Sequence, residues 1–87
     1  MSKPMRIRIK LMGALRSKLP ETQGSADIEM ESGATVDNVL KKLELPAGRV
    51  HLVMVNGAME HQRARPLTDG DELTFFPPVA GGARYPR

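Results

Sequence analysis

The apolar residues change their spacing within residues 28–43, which read IEMESGATVDNVLKKL. At its start, Ile28 and Met30 alternate with acidic residues, and this spacing of two predicts a strand with one covered face. After Thr35, which is placed to cap a helix, the apolar spacing becomes that of one helical face. The helical set is Val36, Val39, Leu40 and Leu43. A strand followed by an amphipathic helix predicts an α+β domain.

Strand and turn signals lie on both sides of this segment. Residues 5–11 alternate apolar and basic, and a short helical turn is predicted over residues 14–19, ended by Pro20. Residues 50–55 are apolar at almost every position, which predicts a strand covered on at least one side. Asn56-Gly57 is a strong signal for a type I′ hairpin, after which Met59 opens a short return strand.

The last strand is predicted over residues 72–76, because Pro77-Pro78 cannot extend a ladder of backbone hydrogen bonds. The order of elements is strand, short helix, strand, helix, strand, hairpin strand and strand. This order predicts a ubiquitin-like β-grasp fold, with a mixed sheet of four or five strands crossed by one main helix. The core is expected to contain Ile7, Ile9, Val39, Leu40, Leu43, Val53, Leu73 and Phe75.

Composition excludes several classes of function. The 87 residues suffice for one domain, and the absence of cysteine excludes disulfides, thiolate metal sites and a thiol nucleophile. The net charge is only +3, and two Phe, one Tyr and no Trp leave few platforms for stacking bases, so a nucleic-acid partner is not expected. His51 and His61 lack neighbours at ligand spacing, so no metal site is predicted.

The N-terminus carries no signal for export. Arg6, Arg8 and Lys10 interrupt the apolar residues there, and no run approaches the ~20 apolar residues of a membrane span. The expectation is therefore a cytoplasmic protein without a membrane partner.

Residues 65–82 read RPLTDGDELTFFPPVAGG, and this segment closely resembles the end of the MoaD/ThiS family of sulfur carriers. Within that family the resemblance is closest to the small subunits of molybdopterin synthase. Looser similarity continues upstream in KLMGALR at 10–16, GATV at 33–36 and VMVNG at 53–57. The resemblance therefore covers about residues 5–82. A lone Gly-Gly would carry much less weight.

The resemblance implies a carrier rather than an enzyme. In this family a partner enzyme adenylates the terminal glycine carboxylate with ATP, and sulfur then replaces AMP to give a thiocarboxylate. Gly82 would carry the sulfur, and Val79, Ala80 and Gly81 would enter the partner's channel with it. The carrier itself would bind no cofactor. The implied partners are an adenylating enzyme and a synthase subunit that accepts the sulfur.

The chain departs from the family pattern after Gly82. Residues 83–87, Ala-Arg-Tyr-Pro-Arg, leave Gly82 in an amide bond with no carboxylate to activate. The expectation is a carrier domain over residues 1–82, with a tail at 77–82 and an extension that a peptidase removes. Three alternatives to a molybdopterin role remain open for the product: a tungsten cofactor, thiamine or a sulfur-containing amino acid. A permanent interaction module and a protein modifier remain alternative functions.

Three apolar residues fall outside the predicted core. Met12 lies opposite Ile9 and Leu11 on the first strand, Phe76 lies opposite Phe75, and Met59 lies on the hairpin. The first and last strands of a β-grasp sheet are neighbours, so these residues could form one exposed patch beside Pro77-Pro78. Such a patch is typical of a protein interface. The alternative is that the short helix at 14–19 covers it.

Overall fold

The computed structural model describes residues 3–78, which form five strands, one α-helix and three short 3₁₀ helices. The strands are β1 (Met5–Leu11), β2 (Ser25–Met30), β3 (Leu52–Val55), β4 (Ala58–Met59) and β5 (Glu72–Phe76). The helix α1 spans Val36–Lys42. The 3₁₀ helices span Gly13–Lys18, Pro20–Thr22 and Ala47–Arg49.

The strands form one mixed sheet in the order β2-β1-β5-β3-β4. The central pair, β1 and β5, is parallel, with Ile9 opposite Leu73 and Leu11 opposite Phe75. The other neighbouring pairs are antiparallel. The predicted β-grasp fold is confirmed, including the contact between the first and last strands.

The crossover helix begins where the sequence predicts. The Thr35 hydroxyl accepts the Asn38 amide, and the Asn38 side chain accepts the Thr35 amide, which together form a capping box. Val36, Val39 and Leu40 are buried against the sheet. The helix ends at Lys42, so that Leu43 of the predicted helical set is its C-cap, and Glu44 then leaves the helix with a left-handed φ of 58°.

The core lies on the helix-covered face of the sheet. Seven of the eight predicted core residues are buried, whereas Leu43 is only half-buried because it caps the end of α1. The core also contains residues that the prediction omitted: Met5, Leu11, Leu15, Ala34, Val36, Leu45, Val50, Val55 and Leu67. Several of these come from segments without regular strand or helix spacing.

The short helices differ from the prediction. Pro20 does not end the local helical structure but begins the second 3₁₀ helix, where its fixed φ suits the first turn. The first 3₁₀ helix packs Leu15 into the core. At the hairpin, Asn56 and Gly57 have φ values of 55° and 84°, as the predicted type I′ turn requires.

Candidate docking face and tail root

Five apolar side chains share the sheet face that α1 leaves uncovered. Along the strands, Phe76 lies opposite Leu52, and Met54 lies opposite Met59. Residues directly opposite each other point to the same side of a sheet. Met12 continues β1 beside them, and its amide donates to the Phe75 carbonyl at 3.0 Å. We call this set the apolar face: Met12, Leu52, Met54, Met59 and Phe76.

The apolar face is open to solvent to different degrees. Met59 is 52% exposed and Met12 is 39% exposed, and these are the exposed large hydrophobic side chains among residues 3–78. Leu52, Met54 and Phe76 are half-buried. The first 3₁₀ helix does not cover Met12, because that helix turns Leu15 toward the core instead. A group of partly exposed apolar side chains on one sheet face is suited to docking another protein.

Two members of the apolar face were absent from the predicted patch. Leu52 and Met54 are part of it because β3 presents apolar residues on both of its sides. The signal was present in the sequence: the run over residues 50–55 has apolar residues at odd and at even positions, whereas β1 has them at odd positions only. A half-covered strand needs apolar residues on one side only, so the second row indicates a second contact surface.

The last strand leads directly from the apolar face into the tail. The Phe76 carbonyl accepts the His51 amide at 2.7 Å, which fixes the end of β5. Pro77 lies over Gly13, where an added Cβ would stand 3.0 Å from Pro77 Cγ. Pro77 is half-buried and Pro78 is exposed. The predicted tail residues Val79, Ala80, Gly81 and Gly82 lie outside the described residues.

Charged side chains occupy the other half of the same sheet face. Arg8 pairs with Asp27 at 3.2 Å, and Lys10 approaches Glu72 at 4.0 Å. The contact between Arg8 and Asp27 joins the basic side of β1 to the acidic side of β2. These exposed pairs contribute little to stability. The charged pairs and the apolar face thus occupy different halves of the same side of the sheet.

The TDGD turn at residues 68–71 has a structural role at the other end of β5. One Asp71 carboxylate oxygen accepts the Asn56 amide group at 2.9 Å and the Thr68 hydroxyl at 3.0 Å, and the other accepts the Thr68 backbone amide at 2.9 Å. Asn56 in turn accepts the Glu72 amide at 2.9 Å. The turn therefore joins the β3–β4 hairpin to the start of β5.

Asp71 should make stability depend on pH. Burial acts to raise the pKa of its carboxyl, but the hydrogen bonds from Thr68 and Asn56 outweigh it and hold the pKa below the ordinary value of 3.8. Because the folded-state pKa is lowered, the ionised Asp71 carboxylate stabilises the fold in full at pH values well above 3.8. This stabilisation is lost as the pH falls through the folded-state pKa. Asp71→Asn should lower the unfolding free energy by about 1–3 kcal/mol at neutral pH. The NH₂ group of the new side chain would replace one accepting oxygen and face a donor of Asn56 or Thr68.

Urea unfolding of both proteins, from neutral pH to below 3.8, measures this effect. The difference in unfolding free energy between the native chain and Asp71→Asn should shrink on acidification. A difference that stays constant would mean that Asp71 titrates equally in the folded and unfolded chains.

No group of three or more His, Cys, Asp or Glu side chains within residues 3–78 is arranged to hold a metal ion. Over the same part of the chain, no helix has the length and apolar character needed to cross a bilayer.

The fold is that of a ubiquitin-like domain, and its apolar face lies beside Pro77 and Pro78. The ThiS family model matches residues 9–82, nearly the whole chain. The protein therefore belongs to the ThiS family, the MoaD/ThiS group of ubiquitin-like sulfur carriers, whose members are small non-catalytic subunits that work with partner enzymes.

Individual relatives agree with this assignment. The chain is 33% identical over 84 residues to the molybdopterin synthase sulfur carrier subunit of Mycobacterium tuberculosis, covering 90% of this chain and 99% of that protein. The solution structure of the HVO 2177 protein of Haloferax volcanii matches with a TM-score of 0.72 and 32% identity, covering 91% of this chain and 88% of the other.

A second solved structure is of a complex. Subunit 1 of the molybdopterin-converting factor of Helicobacter pylori, solved bound to subunit 2, matches with a TM-score of 0.59 and 22% identity. The match covers 90% of this chain and 100% of that one, and at this identity it shows the shared fold.

Proposed function

We propose that this protein carries sulfur as a thiocarboxylate on Gly82 and donates it in the synthesis of molybdopterin or a related cofactor. The observation that carries the proposal is the extent of the family match, which runs through Gly82 and stops before Ala83. The relative from Mycobacterium tuberculosis, a sulfur carrier subunit of molybdopterin synthase, favours molybdopterin over the other products.

The chemistry requires a free carboxylate on Gly82. The carboxylate attacks the α-phosphate of ATP, pyrophosphate leaves, and an acyl adenylate forms on the partner enzyme. A sulfur nucleophile then displaces AMP and leaves the thiocarboxylate. Both steps use groups of the partner, since the carrier supplies only the carboxylate and the surface that docks. ATP is thus a cosubstrate of the adenylating enzyme, and the carrier binds no cofactor of its own.

Docking would place the tail in the partner's active site. The apolar face lies beside the root of the tail, where Pro77 packs over Gly13 and Pro78 follows. Because proline fixes φ, these two residues reduce the freedom that the tail loses on insertion. The docking residues of this proposal are Met12, Leu52, Met54, Met59, Phe76, Pro77 and Pro78, used with the adenylating enzyme and the sulfur-accepting synthase subunit.

Ala83 to Arg87 must be removed before activation, so the domain would run over residues 1–82 and a peptidase would cut the Gly82–Ala83 bond. The cut removes Arg84 and Arg87 and lowers the formal net charge from +3 to +1. The intact mass of the protein from its own cells should therefore be that of a chain whose last residue is Gly82. The cut form should also elute earlier from a cation exchanger than the 87-residue chain.

Recovery of the protein only in forms that extend beyond Gly82 would count against processing.

A second candidate function is attachment of the Gly82 carboxylate to protein lysines. It needs the same cut, because it also begins from a free carboxylate. Lysine adducts would show as species of higher mass that hydroxylamine does not cleave, because an isopeptide bond resists this nucleophile whereas a thioester does not.

A further inference from the structure

Three of the five side chains of the apolar face are methionines: Met12, Met54 and Met59. Met59 and Met12 are the most exposed of these, at 52% and 39%, and Met54 is half-buried. Met5 lies in the core at 5% exposure, and Met30 is half-buried on the opposite side of the sheet. The chain has no cysteine, so the thioethers are its oxidisable sulfur side chains.

We propose that Met12 and Met59 are modification sites for peroxides, and that their conversion to sulfoxides releases the carrier from its partner. The inference rests on the proposed function, because it requires the apolar face to be the docking surface. It adds a reversible control of docking that neither the tail nor the fold itself supplies.

The oxidation balances with hydrogen peroxide as the oxidant. The thioether sulfur attacks one peroxide oxygen, the O–O bond breaks, an S–O bond forms and water leaves. The sulfur loses two electrons and the peroxide gains them. Methionine sulfoxide reductases reverse the change with a dithiol, which becomes a disulfide as the oxygen leaves in water.

A sulfoxide changes docking more than it changes folding. Its oxygen is a strong acceptor, and burying that oxygen in an apolar interface without a donor should weaken binding roughly tenfold or more. Met12 and Met59 lie outside the core, which is on the other side of the sheet. The Met12 backbone bond to Phe75 does not involve the thioether. The oxidised protein should therefore stay folded while it loses affinity.

Exposure predicts the order in which the methionines react. Met59 and Met12 should form sulfoxides first, Met54 and Met30 should follow, and Met5 should be protected until the chain unfolds. Peptide mapping after short treatments with hydrogen peroxide measures this order.

The decisive experiment compares binding before and after oxidation. The carrier, in the form isolated from its own cells, is treated with hydrogen peroxide, freed of the oxidant and titrated into the untreated cognate adenylating enzyme. The dissociation constant should rise roughly tenfold or more, with an unchanged unfolding midpoint. Reductase and dithiol should restore the original affinity.

Matched variants assign the effect to the two sites. The double variant Met12→Leu/Met59→Leu should have the same dissociation constant before and after peroxide, because leucine has no thioether to oxidise. The control Met30→Leu, on the opposite side of the sheet, should stay sensitive. The proposal is overturned if peroxide lowers the affinity of the double Leu variant as much as it lowers that of the native chain. It is also overturned if the native chain keeps its affinity with sulfoxides at both Met12 and Met59.

A third variant separates this proposal from the proposed function. Met12→Gln/Met59→Gln places polar side chains of similar length on the apolar face without any oxidant. Weaker binding by this variant supports the docking face. Unchanged binding would mean that the face does not dock the partner, which counts against the proposed function whatever peroxide does.

Discussion

A chain that ends at Gly82 is expected to become thiolated when mixed with its adenylating enzyme, ATP and a sulfur donor, whereas the 87-residue chain is expected to remain unchanged. The difference should be close to all-or-none, because in the 87-residue chain Gly82 is joined to Ala83 by an amide bond and has no carboxylate to attack ATP. Replacing one carboxylate oxygen with sulfur raises the mass by about 16 Da, the same nominal gain as one methionine sulfoxide.

Because the two masses coincide, the measurement must locate the added mass. Fragmentation should place it on Gly82, and an alkylating reagent should capture the thiocarboxylate but leave the sulfoxides unmodified. A chain that ends at Ala83 is the matched control, since it has a free carboxylate on a residue with a side chain. A narrow partner channel should accept Gly82 far better than Ala83.

A chain ending at Gly82 that its cognate enzyme cannot thiolate would contradict the sulfur-carrier proposal. The interaction-module alternative would then account for the fold and the apolar face, since docking does not require a free carboxylate.

The regular part of the fold was accessible from the sequence. The first two strands and the main helix each have an apolar periodicity, and Thr35 and Asn56-Gly57 mark boundaries with local chemistry that the structure reproduces. Local signals of this kind are reliable because each depends on neighbouring residues and hardly on the rest of the chain. The same is true of β5, whose predicted bounds of 72–76 match the structure.

The irregular segments were not accessible in this way. Residues 62–66 show neither strand nor helix spacing, yet the Arg63 guanidinium donates to the carbonyls of Val50 at 2.6 Å and Ala47 at 3.1 Å. The backbone carbonyl of Arg63 also accepts the Asp37 amide at 3.1 Å. Hydrogen bonds between segments distant in sequence leave no periodic signal.

The site was accessible only in part. Met12, Met59 and Phe76 were found because they break the core pattern of an alternating strand. Leu52 and Met54 were missed because a strand that is apolar at both parities does not show which row is the core. Asp71 appeared only as part of a family motif, whereas the structure shows that its carboxylate holds two turns together. The sequence shows the residue types but not which of them meet.

Two adjacent phenylalanines allow a direct test of the docking face. Phe75 is fully buried between Leu11 and Val53, whereas Phe76 points to the opposite side of the sheet and is half-buried opposite Leu52. Phe75→Ala should lower the unfolding free energy by about 3–5 kcal/mol, because it leaves a cavity in the core. That is a large part of the ~5–15 kcal/mol that stabilises a typical domain.

Phe76→Ala should have the opposite profile. The lost aromatic contact at the partner should weaken binding by about 2 kcal/mol or more, or roughly 30-fold, if Phe76 is a central contact of the interface. The unfolding free energy should fall by only about 1 kcal/mol, because the side chain gives up less buried area than Phe75. Phe76→Leu, which keeps apolar area on the face, should recover part of the affinity.

Urea unfolding and calorimetric titration into the adenylating enzyme measure both quantities on the same preparations. The Phe75→Ala chain that remains folded should bind the enzyme with nearly native affinity, because its apolar face is intact. A loss of stability in Phe76→Ala equal to that in Phe75→Ala, with unchanged affinity, would place Phe76 in the core. The apolar face would then lose its central member, since Phe76 is the residue that connects the sheet to Pro77 and the tail.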